Sequence, residues 1–398
     1  MIGAIVIGGD YQGLGIIRSL GQHRIPICLL DSGPSIARVS KFTTKSFIYS
    51  PGEGEQRLAD FLLSLAKKEQ IEGWIIYPTT DEQVKELSIH RNILSQYYRV
   101  PTPKWEITQL LHNKKLTYKL AGKLNILVPT TFYPQSIEEV RDLSLQFPVI
   151  LKPAVRGIFY KKTKRKALLA KNIDELIDRY RFAATIIPQD EIMIQEIIRG
   201  NLYSFCSLFK NKVPFAKLMA QRVRQHPMDF GKASTYVRTV DIPELEELGT
   251  KILQSVDYYG LSEVEFIWDS RDKQYKLLDV NARTWGWHTI GNQIELDFSF
   301  LLYKDLIDGK ISIPFTRKCK MSRFLRDPDV AGQEARWVRG LTDTPVAIKE
   351  ILAGRLKLSK YLESLYGKKE YAVWFLKDPL PFLFEFLLLP YLARTRGY

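Results

Sequence analysis

The chain has 398 residues, 45% of them hydrophobic and 26% charged, a net charge of +14 and three cysteines. That length exceeds one ordinary core and predicts two or three domains of ordinary soluble globular composition. Cys28, Cys206 and Cys319 are too scattered for a disulfide framework or a zinc site, and the positive charge favours anionic partners: nucleotides, nucleic acid or a membrane surface.

The N-terminus opens into Ile2–Gly8 without a basic leader, so it reads as a first strand and not a signal peptide, and a reducing cytoplasm is expected. Strand signals at Ile5–Gly8, Ile25–Leu30, Phe47–Tyr49 and Trp74–Tyr77 alternate with helical periods at Gly13–Gly21, Glu53–Glu69 and Glu82–Leu94. Such alternation predicts a parallel, doubly wound sheet. The turn with glycines at 8, 9, 13 and 15 departs from G-x-G-x-x-G, and only Asp31 stands where a ribose-binding acid is expected, so a nicotinamide site is disfavoured. Thr79, Thr80 and Asp81 follow the last strand, at the sheet edge where ligands of open α/β folds gather. Thr80 or Asp81 can equally cap the next helix, and the two roles are compatible.

The pattern changes near residue 111. A helix is predicted over His112–Ala121, with Asn113 and Lys114 at its start. Lys152 then ends the apolar strand Phe147–Pro153, a costly place for a cation unless an anion meets it. The segment Ala154–Lys166 holds one glycine and six basic residues and reads as a mobile basic hairpin. An apolar strand from Glu191 turns polar at Gln195 and Glu196 and ends at Gly200. A hairpin follows, Tyr203–Phe209 and Val213–Arg224, whose second strand is expected to carry Arg222 and Arg224 on one face.

Two further strand-like runs, Val264–Trp268 and Tyr275–Val280, flank a polar loop and predict another hairpin. Asp279, Asn281 and Arg283 lie at i, i+2 and i+4, hence on one face. If the hairpin is symmetric about Asp272, Glu265 stands across from Asp279. Two carboxylates and an amide oxygen form a hard-oxygen set suited to Mg²⁺, and an arginine beside it suits phosphate. The five histidines show no metal-ligand spacing, and His226 and His288 read as structural. The apolar segment Leu380–Ala393, followed by Arg394 and Arg396, is interrupted by Pro381, Glu385 and Pro390 and is shorter than the ~20 residues of a membrane span. Packing against its own domain is the default reading, with peripheral membrane contact as the alternative. No zinc-finger spacing or aromatic RNP-like strand supports nucleic acid as a partner.

These motifs, in this order, resemble those of the ATP-grasp enzymes, among them biotin carboxylase, D-alanine–D-alanine ligase and the D-aspartate ligases. The resemblance covers about residues 1–310. It implies a mixed α/β and α+β chain. A Rossmann-like pre-ATP-grasp domain (1–110) precedes ATP-grasp subdomains at 111–192, with a phosphate flap, and 193–315, with a metal hairpin; a C-terminal extension (316–398) follows. It also implies that Lys114 and Lys152 hold ATP phosphates, and that Gln195, Glu196 and Ile197 meet adenine through a side chain, a carbonyl and an N–H. Glu265, Asp279 and Asn281 would bind Mg²⁺ (or Mn²⁺), Arg283 with Arg222 or Arg224 would act on the acyl phosphate, and Thr79, Thr80 and Asp81 would face the acceptor substrate. The chain departs from the family in Asn113 for Asp, Asp279 for Glu and a glycine-poor flap. The implied activity is that of a carboxylate–amine ligase forming an amide bond through an acyl phosphate. A bicarbonate-using relative and a non-catalytic protein with a degenerate site are the alternatives.

Overall fold

The computed structural model describes residues 1–49, 58–227, 231, 233–309, 335–340 and 342–396, the side chains of 392–396 excepted. Cys319, the beginning of the C-terminal extension and the side chains of Arg394 and Arg396 lie outside the described residues. Two compact units divide the chain: a larger one of 1–108, 204–263 and 281–398, and a smaller one of 109–203 and 264–280.

The larger unit begins with strands β1 (Ala4–Ile7), β2 (Ile27–Asp31), β3 (Lys45–Ile48) and β4 (Ile75–Pro78), all parallel in the order β3-β2-β1-β4. β1, β2 and β4 are buried along their whole length, as expected for continuous apolar runs in a helix-covered parallel sheet. Helices α1 (Tyr11–Gln22) and α2 (Leu58–Glu69) follow β1 and β3. The turn into α1 needs its glycines for closeness: Gly8 has φ +98°, and a Cβ on Gly13 would stand 1.9 Å from the Gly8 carbonyl oxygen. The single helix expected over 82–94 is two, α3 (Asp81–Ile89) and α4 (Arg91–Leu94), separated at His90. Leu87 and Leu94 are both buried, seven residues apart, so the apolar period runs straight through the break and hides it.

In the smaller unit the helix expected from His112 is likewise divided. α5 (Trp105–His112) ends there and α6 (Lys114–Lys123) begins after Asn113, whose side chain accepts from the N–H groups of Lys115 and Leu116. Strands β5 (Thr131–Phe132), β6 (Val149–Pro153), β7 (Leu168–Ala170) and β8 (Ile192–Glu196) form an antiparallel sheet in the order β5-β8-β6-β7. With α7 (Ile137–Asp142), α8 (Gly157–Thr163) and α9 (Ile173–Ala184) they enclose a core that includes Leu151, Phe159, Leu176, Tyr180 and Ile194. The basic flap is therefore a short helix, α8, and not the expected hairpin. Phe159, fully buried, pins one face of it, and Lys164 at φ +57° ends it.

The remaining strands are β9 (Leu202–Lys210), β10 (Val213–His226), β11 (Ala233–Val240), β12 (Gly260–Asp269), β13 (Gln274–Asn281), β14 (Arg336–Val338) and β15 (Glu370–Tyr371), in the sheet order β13-β12-β9-β10-β11-β14-β15. The other two expected hairpins, β9–β10 and β12–β13, are present. Asn211 and Lys212, at φ +53° and +62°, make the tight link between β9 and β10 in the left-handed region that two-residue turns favour. One expectation fails on β10. Arg222 pairs with Val237 and Arg224 with Tyr236, so a bulge lies between the arginines and their partners are adjacent residues. Adjacent partners point to opposite faces, and Arg222 and Arg224 do too.

Helices α10 (Pro243–Ser255), α11 (Phe298–Asp308), α12 (Asp343–Leu352), α13 (Leu358–Leu365) and α14 (Leu380–Arg396) complete the larger unit. The C-terminal segment is fastened to its own unit by buried ion pairs. Arg18 of α1 donates to the Asp378 carboxylate at 3.0 Å and to the Val373 carbonyl at 2.8 Å, and Arg339 donates to Glu385 of α14 at 2.6 Å. No helix among the described residues is long and apolar enough to cross a membrane.

Candidate active site

In the smaller unit the side chains singled out by sequence gather on Tyr118, a residue of α6 that pattern alone presents as core. Lys152, at the end of β6, donates to the Tyr118 hydroxyl at 3.3 Å, and Gln195 Nε2, at the end of β8, donates to it at the same distance. The hydroxyl in turn donates to the Leu278 carbonyl at 3.1 Å, and Gln195 also donates to Thr131 Oγ1 at 2.7 Å. Lys114, in the first turn of α6, donates to Asp279 Oδ2 of β13 at 2.7 Å.

Charges of both signs converge here. Burial first, and the neighbouring Lys114 second, push Lys152 down from its ordinary 10.5 to about 7, with Asp279 opposing. Burial pushes Tyr118 up to about 12; Gln195 and Lys114 pull it down, while Asp279 and Glu265 add to the rise. Glu265 and Asp279 thus both bear on the same hydroxyl. Two lysines converge where one of the carboxylates, Asp279, is already paired with Lys114.

Glu196 lies at the edge of this cluster with its carboxylate engaged. It accepts from the Thr130 N–H at 2.7 Å and pairs with Arg271, which also binds Asp269 beside Lys276. Burial raises the Glu196 pKa, but the Thr130 N–H and the Arg271 guanidinium lower it more, and the net shift is downward. Asp269, with Arg271 as its main partner, is held well below the usual carboxylate range. This network at the tip of the β12–β13 hairpin was not legible beforehand, because the loop residues looked like ordinary solvated charges. Ile197 follows β8. Beyond it Gly200 permits a close approach: a Cβ there would stand 1.9 Å from the Trp268 carbonyl oxygen.

In the larger unit a second chain of contacts runs Glu263–Asn281–Arg283–Asp81. Asn281 Nδ2 donates to Glu263 Oε2 at 3.1 Å, and Glu263 also accepts from Ser204 Oγ at 2.9 Å. Arg283 Nη2 donates to Asn281 Oδ1 at 3.1 Å, while its Nε donates to Asp81 Oδ1 at 2.6 Å. The Glu263–Asn281 contact fixes which faces of the two strands look the same way. By alternation, Glu265 shares the face of Glu263, and Asp279 that of Asn281. Glu263 itself, 4% exposed, was not among the expected residues.

Thr80 rather than Asp81 caps α3, in a capping box with Gln83. Thr79 Oγ1 donates to the Ile7 carbonyl at 2.6 Å. Both hydroxyls are thereby engaged within the unit, and Asp81 acts through Arg283. Arg224 is also taken up: it makes a two-pronged contact with Asp343, at 2.9 and 2.6 Å, and lies over the Tyr236 ring. This buried pair occupies Nε and Nη2 of the Arg224 guanidinium. Arg222 donates to Ser234 Oγ at 3.0 Å. Three guanidiniums, those of Arg339, Arg283 and Arg222, pull on the phenol of Tyr11, although burial first and Asp10 second carry its pKa up to about 12. Arg339 lies 4.4 Å from the centre of that ring. Tyr11 and Arg339 were missed because each sits in an unremarkable helix or strand-end sequence. His288 is buried, with Nδ1 2.9 Å from the Trp285 carbonyl oxygen and its pKa lowered by burial to about 4, in keeping with a structural role.

No protein-family model matches the chain. It is 24% identical over 303 residues to D-aspartate ligase from Enterococcus faecium (strain Aus0004), covering 70% of each chain. Among solved structures it is similar to the biotin carboxylase domain of Hydrogenobacter thermophilus 2-oxoglutarate carboxylase, with TM-score 0.62, 15% identity and coverage of 78% of this chain and 70% of that one. It is also similar to L-amino acid ligase from Bacillus licheniformis, with TM-score 0.60, 12% identity and coverage of 77% and 74%. A third likeness, N5-carboxyaminoimidazole synthetase from Staphylococcus aureus, has TM-score 0.57, 16% identity and coverage of 76% of each chain. Taken with the order of the motifs and the sheets that carry them, these likenesses show that the chain shares the fold of these enzymes and is similar in sequence to a D-aspartate ligase over 70% of its length.

Proposed function

We propose that the chain joins a carboxylate to an amine at the expense of ATP, by way of an acyl phosphate. A substrate carboxylate oxygen attacks the γ-phosphorus and ADP departs. The amine nitrogen then attacks the acyl carbon, inorganic phosphate leaves, and the nitrogen loses a proton, giving an amide. The observation that carries this reading is the convergence of Lys152 and Gln195 on the Tyr118 hydroxyl beside Lys114, where burial and Lys114 push Lys152 down to about 7. A polyphosphate would meet both lysines, which bind it as point charges.

Adenine would lie along the end of β8, where Gln195, the Glu196 carbonyl and the Ile197 N–H offer a side chain and a backbone edge. Arg283 is positioned by Asp81 on one side and Asn281 on the other, and would bear on the transferring phosphoryl group and the acyl phosphate. Arg222 is the arginine of β10 that remains for this role. Glu265, Asp279 and the Asn281 amide oxygen would hold Mg²⁺; the set is all hard oxygen and fits that ion. When bound, Mg²⁺ supplies neutralisation of phosphate charge. Asp279 pairs with Lys114 in the structure, and exchanging that partner would free the lysine for phosphate.

The test is phosphate release from ATP, screened over pairs of amino acids and small amines, with bicarbonate alone as a separate arm. The expected result is release that requires both an acid and an amine and is abolished by Arg283→Ala. Release supported by bicarbonate without an organic acid, or none with any pair, refutes the proposal.

A further inference from the structure

The structure points to a second property, independent of the nucleotide site: we infer that the C-terminal part of the larger unit is a docking surface for an anionic lipid bilayer. Fifteen of the 24 exposed large hydrophobic side chains among the described residues fall between Ile348 and Tyr391. Leu352, Leu358, Tyr366, Leu376, Leu383 and Leu387 are each more than half exposed. A soluble surface left to itself rarely concentrates apolar groups in this way.

Three of the exposed residues, Leu365, Tyr371 and Trp374, meet at one cavity. A cavity of about 560 Å³ opens between α13 and α14, and Leu365, Tyr371, Trp374 and Phe382 all line it. Trp374 packs edge-on against Phe382 at 5.1 Å, and Phe382 against Phe386 at 5.2 Å, which carries the apolar strip onto α14. The charges around it have one sign. Lys349, Arg355, Lys357, Lys360, Lys368 and Lys377 are exposed, and the one exposed acid described in this stretch, Glu363, is bonded to Lys360 at 2.8 Å.

That combination selects the occupant. In a symmetric pair of chains the same cations would face each other, and lysine is depleted at the centres of protein–protein interfaces. An anionic bilayer meets both features at once. Leucines and aromatic rings enter the headgroup boundary, where Trp and Tyr are at home, and each nearby lysine or arginine adds about 1 kcal/mol of attraction. No described helix is long and apolar enough to cross a membrane, so the contact lies on the bilayer and not through it.

The test is sedimentation of the full chain with phosphatidylcholine vesicles, with and without phosphatidylglycerol, at low and high salt. Binding is expected only with phosphatidylglycerol and is expected to weaken with salt. The double variants Leu383→Glu/Leu387→Glu and Lys357→Glu/Lys377→Glu each lower the bound fraction by about tenfold or more. These positions are exposed, so the thermal unfolding of both variants should match that of the native chain. Failure to bind anionic vesicles overturns the inference, as does equal binding to phosphatidylcholine alone. So does a concentration-dependent dimer in light scattering that the leucine variant abolishes, because the surface would then belong to a second copy.

Discussion

Replacing Lys152 by methionine should raise the stability of the free protein and weaken its grip on ATP, two effects of opposite sign from one change. Burial, together with Lys114, holds the amine at about 7 against an ordinary 10.5. At about 1.4 kcal/mol per unit, that shift corresponds to at most about 5 kcal/mol of destabilisation, which partial solvent access reduces to roughly 1–3 kcal/mol. The sign follows from proton counts. Between pH of about 7 and 10.5 the unfolded chain holds this proton more than the folded chain does, so stability rises with pH across that window. Methionine keeps most of the apolar stem and removes the charge, so the variant unfolds at a higher temperature near pH 7, and the advantage fades towards the upper end of the window. Bound phosphate reverses the balance. It restores the charged amine, so nucleotide binding by the native chain should take up a proton above neutral pH and weaken as pH rises. Loss of a charge-assisted bond of about 1.5–3 kcal/mol raises the ATP dissociation constant roughly 10- to 150-fold in the variant. Differential scanning fluorimetry gives the first quantity, and calorimetry in buffers of different ionisation enthalpy gives the second together with the proton. A Lys152→Met protein that is less stable near pH 7 and binds ATP as tightly as the native chain would refute the reasoning.

Three other substitutions probe separate parts of the same account. Asp279→Asn removes one of the two carboxylates proposed for the ion and the partner of Lys114, so the Mg²⁺ concentration needed for half-maximal ADP binding should rise about tenfold or more, while Mg²⁺-independent binding changes little. Gly200→Ala puts a methyl group 1.9 Å from the Trp268 carbonyl oxygen and should destabilise the smaller unit by about 1–3 kcal/mol, read in urea unfolding; an unchanged midpoint would mean that the backbone gives way freely there. Arg224→Ala leaves Asp343 buried without its two-pronged partner and should cost about 3–5 kcal/mol, whereas Arg224→Met with Asp343→Leu should recover most of that loss. Recovery of stability without recovery of activity in the double variant would return Arg224 to the chemistry.

How far the sequence reached depended on whether a residue's role was local. The β12–β13 hairpin was legible because strand alternation alone puts Asp279 and Asn281 on one face, and Arg283, just beyond the strand, donates to Asn281. Lys152 was legible because a cation closing an apolar strand asks for an anion whatever surrounds it. The same alternation misled on β10, where one extra residue between Arg222 and Arg224 turns their side chains apart; a bulge leaves no compositional mark in an otherwise regular strand. The flap misled for a related reason. Its charges suggested an exposed hairpin, but the fully buried Phe159 gives the segment an apolar anchor that suits a short helix. Tyr118 and Tyr11 were illegible in principle. Each has the spacing of an ordinary core residue on a helix, and its significance comes only from what distant segments bring to its hydroxyl or ring: the ends of β6 and β8 for Tyr118, and arginines from three separate stretches for Tyr11. Chemistry written along one strand survives in the sequence, whereas chemistry assembled by the crossing of several elements does not.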